Sequence, residues 1–296
     1  MAIDPAAIRV GAFDYQRPTT LAEAVALLQE HGARAQLLAG GTDLVIGLRD
    51  RTVEPAVVID IKRIPELQPS IGQHGGWLAI SAASTMTQIS ADPAVRRHFM
   101  ALVEAADVVG SVQIRNRATL AGNICNASPA ADTAPPLLVF GARVVVAGPG
   151  GTRLIPIDQF FVRSRVTTLQ RGELVTAVEL PVPAEPIGAA YVRLTRRRGT
   201  DLASITLCSA VERSGVTRLA YGSVGPRPLL FVDETGVLAD PSAPEDATEP
   251  ILERMFAAAS PSPRSVRASP EYRLAMLRVL AARALSSAIE RLGRAA

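Results

Sequence analysis

The stretch Pro181-Val182-Pro183-Ala184-Glu185-Pro186 constrains the chain more than any other feature, because it combines proline stiffness with a break in both the helical and the strand periodicity. It divides 296 residues into two parts, each able to bury its own core at roughly 150 residues per domain. The expected boundaries are a first domain over 1–180 and a second over 187–296.

Before the boundary, helix and strand alternate. A helix begins after Pro18, where Thr20 and Glu23 have capping-box spacing, Leu21, Val25 and Leu28 share a face, and Gly32 marks the stop. Apolar runs at 35–39, 57–61 and 77–81 read as strands. Pro93 opens a longer helical stretch to about Val109, and Ser111 to Asp132 reads as a loop of small polar residues. Residues 142–147 and 172–180 again read as strands. Beyond the prolines, 191–194, 202–212 and 217–224 suggest an antiparallel meander, and 241–250 reads as an acidic surface loop. From Pro270 on, Leu274, Leu277, Leu285, Ile289 and Leu292 recur at helical spacing. The expected class of this part is an α+β layer closed by helices.

Composition excludes several functions. A chain that is 48% hydrophobic and 20% charged is ordered and globular. Its longest nearly apolar stretch, 137–148, is interrupted by Arg143 and falls short of the roughly 18 to 20 residues a membrane span needs. Asp4 and Pro5 break the amino terminus before any signal-like apolar run, so the expected address is cytoplasmic. Cys125 and Cys208 are too few for a disulfide framework or a four-cysteine cluster, so any iron–sulfur centre must sit on another chain. A net charge of +3 with few aromatic residues argues against nucleic acid. His31, His74 and His98 lack metal-ligand spacing, and no G-x-S-x-G elbow accompanies the serines.

Two loops carry the chemistry. Ala39-Gly40-Gly41-Thr42-Asp43 leaves a strand with two residues lacking a β-carbon, so backbone N–H groups can approach a ligand oxygen and Thr42 can add a hydroxyl. Thr119-Leu120-Ala121-Gly122-Asn123 is followed by Ser128-Pro129-Ala130-Ala131-Asp132, in which Gly122 permits close approach, Asn123 offers amide donors and Asp132 an acceptor. Taken singly, the first reads equally as ordinary turn chemistry and the second as a capped surface loop. The run Arg196-Arg197-Arg198 could hold an anion or simply be a solvated face. No nucleophile or proton-transfer pair stands out, which assigns the reaction to a cofactor.

The two glycine loops, in this order and separation, resemble the FAD-binding medium subunit of the molybdenum hydroxylases, the xanthine dehydrogenase and carbon monoxide dehydrogenase family. The resemblance also includes residues 13–18, Gln113-Ile114-Arg115-Asn116, 196–203, Tyr272-Arg273 and Arg283-Ala284-Leu285. It implies a two-subdomain FAD-binding fold of the vanillyl-alcohol-oxidase-like (PCMH) type, with α/β subdomains at about 1–60 and 61–180, plus a smaller carboxy-terminal domain of antiparallel sheet with helices. It implies noncovalent FAD. The first pyrophosphate segment falls on Leu37, Leu38, Ala39, Gly40, Gly41, Thr42, Asp43 and Leu44, and the second on Thr119, Leu120, Ala121, Gly122 and Asn123. Asp132, Leu174, Tyr191 and Arg193 are the implied contacts nearer the ring, with Arg193 standing where the family commonly has lysine.

The function this implies is electron transfer. The resemblance places the molybdenum cofactor on a large partner subunit and [2Fe-2S] clusters on a small one, with the FAD passing electrons to NAD, oxygen or another acceptor, in a dimer of heterotrimers. A self-sufficient FAD-dependent oxidase or reductase, and a non-enzymatic interaction subunit, are the alternatives.

Overall fold

A parallel strand buried on both faces reads as a near-continuous apolar run, and Val57-Val58-Ile59, ahead of Asp60, is one. The computed structural model describes residues 11–294, so the amino-terminal decapeptide on which the expected cytoplasmic address rests lies outside them. The chain begins with β1 (Asp14–Gln16), α1 (Leu21–His31), β2 (Ala35–Leu38), α2 (Leu44–Arg49) and β3 (Val57–Asp60). β3 is central and buried throughout, with β1 and β2 parallel on either side. Thr20 caps α1 by accepting from the Glu23 N–H at 3.2 Å, but the Glu23 carboxylate accepts from Thr19 N at 2.8 Å, so the box is shifted by one residue. Gly32, at φ +54°, ends the helix in a backbone conformation costly for other residues.

The next unit contains β4 (Ile71–His74), β5 (Trp77–Ser81), α3 (Met86–Ala91), α4 (Pro93–His98), α5 (Met100–Asp107), α6 (Val112–Arg115), α7 (Leu120–Asn126) and α8 (Ala134–Val139). It continues through β6 (Arg143–Gly148), β7 (Gly151–Pro156), α9 (Ile157–Phe160), β8 (Phe161–Arg163), β9 (Val166–Thr167) and β10 (Leu174–Pro181). Its main sheet is antiparallel, in the order β4-β5-β10-β6-β7. The single helix expected from Pro93 to Val109 is broken at Phe99 (φ −135°, ψ 47°), whose ring is fully buried and meets Phe140 edge-on at 5.1 Å. Burying that ring outweighs helix continuity. The loop expected between Ser111 and Asp132 instead contains α6 and α7, each opened by a side-chain cap from Ser111 or Thr119.

The last part contains β11 (Ile187–Leu194), β12 (Ile205–Glu212), β13 (Thr217–Gly222), β14 (Leu229–Asp233), α10 (Glu245–Phe256) and α11 (Pro270–Arg294). The three expected strands form the expected antiparallel meander in chain order, with β11 at one edge, and β14 adds an unexpected fourth strand. The expected surface loop 241–250 is partly α10: Glu245 and Asp246 suit a helix amino terminus, and the helix runs through Pro250 because Ile251, Met255 and Phe256 are buried beyond it. α11 buries Leu277 and Leu285 as expected, but Leu274 is 37% exposed while Leu280, Ala281, Ala284 and Ala288 complete the stripe. Among the described residues no helix is long and apolar enough to cross a membrane.

Candidate functional site

The first loop leaves β2 at Leu38 and turns into α2 through Ala39–Asp43. Gly41 has φ +80°, which favours glycine. At Gly40 the constraint is space: an added β-carbon would lie 2.0 Å from the Arg117 carbonyl oxygen and 3.1 Å from the Ala118 α-carbon. The first glycine loop therefore rests directly on the residues that lead into the second. Among the described residues the N–H groups of Gly40, Gly41 and Thr42 donate no hydrogen bond within the chain, and all three residues are half-exposed. Unpaired consecutive N–H groups beside a glycine at positive φ form a concavity suited to anionic oxygen. Leu37, Leu38, Ala39 and Leu44 are half-buried around it, whereas Asp43 is exposed.

Beside this loop stands Asp60, paired in register with Leu38. It receives Lys62 Nζ at 2.7 Å, the Lys62 N–H at 3.0 Å and the Tyr15 hydroxyl at 2.5 Å. Burial opposes its charge, but the Lys62 and Tyr15 contacts prevail and hold the carboxyl below its ordinary range. Lys62 Nζ also lies 3.5 Å from the Ala39 carbonyl oxygen. Sequence reasoning missed these three residues, although Lys62 is the chain's sole lysine and so carries a signal.

In the second loop, Thr119 Oγ1 accepts the Gly122 N–H at 3.0 Å and opens α7. Thr119, Leu120 and Ala121 are buried, and Gly122 is exposed. A β-carbon at Gly122 would meet only Thr119 Oγ1, at 3.0 Å. Asn123 is partly committed as a brace, its Oδ1 accepting from Thr133 Oγ1 at 2.7 Å. Cys125 lies in α7; burial pushes its thiol up to about 12, which keeps it protonated.

A second centre forms where the sheet of β11 meets Asp132. Tyr191 and Arg193, two residues apart on a strand, project to the same side. The Tyr191 hydroxyl donates to Asp132 Oδ1 at 2.6 Å, and Arg193 Nη1 lies 3.4 Å from Oδ1 and 3.5 Å from Oδ2. Burial raises the Asp132 carboxyl above its ordinary value, outweighing the hydroxyl and the guanidinium that pull it down. Burial, then the neighbouring Asp132 charge, pushes Tyr191 well above a normal phenol, so it remains a donor. Leu174 does not join this group at its surface: it opens β10 opposite Ala147 with its side chain wholly enclosed in the core. Arg196 and Arg197 bond the Val266 and Thr200 carbonyl oxygens from an exposed loop.

Residues 11–183 match the FAD binding domain in molybdopterin dehydrogenase, and residues 190–288 match the CO dehydrogenase flavoprotein C-terminal domain. The chain belongs to this family of FAD-binding components of molybdopterin dehydrogenases, and is an oxidoreductase component. It is 33% identical to a xanthine dehydrogenase FAD-binding subunit of Escherichia coli, over 94% of this chain and 97% of that one. It is 36% identical to the nicotinate dehydrogenase FAD-subunit of Eubacterium barkeri, over 81% and 85%. Among solved structures, carbon monoxide dehydrogenase from Hydrogenophaga pseudoflava which lacks the Mo-pyranopterin moiety of the molybdenum cofactor superposes with a TM-score of 0.87 and 30% identity, covering 96% of this chain and 99% of that one. The expected combination of an FAD-binding domain with an antiparallel carboxy-terminal domain is the one found.

Proposed function

We propose that this chain holds FAD noncovalently and serves as the electron-relay subunit of a heteromeric molybdenum hydroxylase. The observation that carries the reading is the seating of Gly40 on the Arg117 carbonyl, just ahead of the second loop, together with the Gly40, Gly41 and Thr42 N–H groups that have no partner among the described residues. These groups fit the pyrophosphate of FAD, because backbone dipoles meet its negative charge without a lysine in either loop. Residues 37–44 and 119–123 would hold that end. Asp132, Tyr191 and Arg193 would border the ring and orient it, Tyr191 supplying a hydroxyl and Arg193 a fixed cation. When bound, the flavin supplies the electron-accepting and electron-donating chemistry. Leu174 would act from behind, as packing.

In this reading the domains are 1–180, with subdomains at about 1–60 and 61–180, and 187–296. The iron–sulfur small subunit and the molybdenum-cofactor large subunit complete the enzyme in the cytoplasm as a dimer of heterotrimers, and FAD passes electrons to a terminal acceptor. The two cysteines support the need for a cluster-bearing partner. The test is gentle purification of the tagged chain from its native cell, with an absorption spectrum and a subunit pattern. Flavin bands with a small iron–sulfur chain and a large molybdenum chain are expected. Flavin on a lone chain would replace this reading with the self-sufficient enzyme, and a colourless chain that refuses added FAD would overturn both.

A further inference from the structure

β11 is an edge strand, so one side of its backbone has no neighbouring strand to bond. Two side chains from different helices take that place. The Tyr191 N–H donates to Glu104 Oε2 at 3.0 Å, and the Ala189 carbonyl accepts from Arg291 Nη1 at 2.6 Å. Arg291 Nη2 in turn bonds Glu104 Oε1, closing the bridge between α5 and α11. The ion pair thus occupies the donor and acceptor positions that a further strand would fill at residues 189 and 191. The approach of α11 is part of the device: a β-carbon on Gly188 would lie 2.0 Å from the Ala288 carbonyl, so glycine there lets the helix settle close enough for Arg291, one turn on, to reach the strand.

We propose that the Glu104–Arg291 pair is the positioning element of the flavin site, holding β11 in place so that the Tyr191 hydroxyl and the Arg193 guanidinium meet Asp132. This rests on the reading that Asp132, Tyr191 and Arg193 border the flavin. The pair touches no ligand itself. Its side chains keep 26% and 36% of their surface exposed, so its direct contribution to overall stability is modest.

The test uses the full chain, with any subunits that copurify, as isolated with FAD. Glu104→Ala and Arg291→Ala are expected to raise the FAD dissociation constant about tenfold, the effect of losing one charge-assisted hydrogen bond. They should also shift the visible circular dichroism and the midpoint potential of the bound flavin. Glu104→Gln keeps an acceptor for the Tyr191 N–H but turns an amide NH2 toward Arg291, so it should restore both signals only in part. If Glu104→Ala or Arg291→Ala fails to fold, Arg291→Lys serves, because an ammonium lacks the fork that reaches both Ala189 and Glu104 and should still shift the flavin signals. Folded variants with wild-type dichroism and potential would overturn the proposal. Gly40→Ala separates the two readings. Loss of FAD in Gly40→Ala beside wild-type behaviour of the pair's variants refutes the positioning role alone, while full FAD retention in all of them refutes the site as well.

Discussion

Asp60 and Asp132, beside the first glycine loop and beneath β11, are buried to 2% and 8% exposure, yet their proton affinities move in opposite directions. Asp60 sits under a shallow cover of Tyr15 and Lys62, both partly exposed, and has an ammonium at 2.7 Å. Asp132 lies under the better-covered Tyr191 and Arg193 and has its cation no nearer than 3.4 Å. Burial alone therefore does not decide the charge of a carboxyl; the depth of its cover and the distance to its counter-charge do. The same contrast separates the two ends of the proposed site. The first loop offers unpaired backbone donors and a neighbouring carboxylate already neutralised by Lys62, whereas the β11 centre is built from side chains locked to one another.

If the first end works through backbone space, Gly40→Ala should be the most damaging change. Its β-carbon must displace the Arg117 carbonyl, and FAD affinity should fall roughly a hundredfold, read as flavin per folded chain after dialysis. Lys62→Met should come next: it leaves Asp60 buried with weaker compensation and should cost about 2 kcal/mol in urea unfolding. A cost near zero would mean that Tyr15 and Arg17, the latter 4.0 Å away, suffice. Tyr191→Phe removes one hydroxyl donor at the other end, with an expected loss of about 1 kcal/mol and a further rise in the Asp132 proton affinity. Gly122→Ala should be the mildest substitution for the fold, within about 0.5 kcal/mol, because only Thr119 Oγ1 is near; any larger loss of FAD would then report close approach of the ligand itself.

The pH dependence of stability sharpens the comparison through its sign. The Asp60 carboxyl is lowered, so its contribution is present above the ordinary aspartate value of 3.8 and is lost as pH falls through the lowered one. The Asp132 carboxyl is raised, so its contribution is greatest below 3.8 and is lost as pH rises through the raised value. Thermal melts of the FAD-free chain should therefore show wild type losing its advantage over Asp60→Asn on acidification, and losing ground to Asp132→Asn as pH rises across the acid range. Parallel curves for both variants would break the contrast.

Much of the local structure was legible in the residues. Thr20 before an amphipathic run, Gly32 at its end and the apolar run 57–59 of β3 each act through neighbours in the chain, and each stands where expected. The helices α6 and α7 were not legible, because four and seven residues are too short to display a period. The break at Phe99 was hidden for another reason, since it depends on Phe140 and not on adjacent residues. For the candidate site, the glycine loops and Asp132 could be named from their residue types, while Asp60, Lys62 and Tyr15 gained their place only when β1, β2 and β3 came together.

The sequence by itself determined where backbone N–H groups can be left open, because glycine, caps and proline act within a few residues of their own position. Only the tertiary structure decided that Gly40 would lie on Arg117, that Asp132 would face Tyr191 and Arg193, and that Glu104 would bond Arg291 from 187 positions away. Those pairings follow from how buried surfaces pack and how an edge strand satisfies its free hydrogen-bonding groups, which no local pattern encodes.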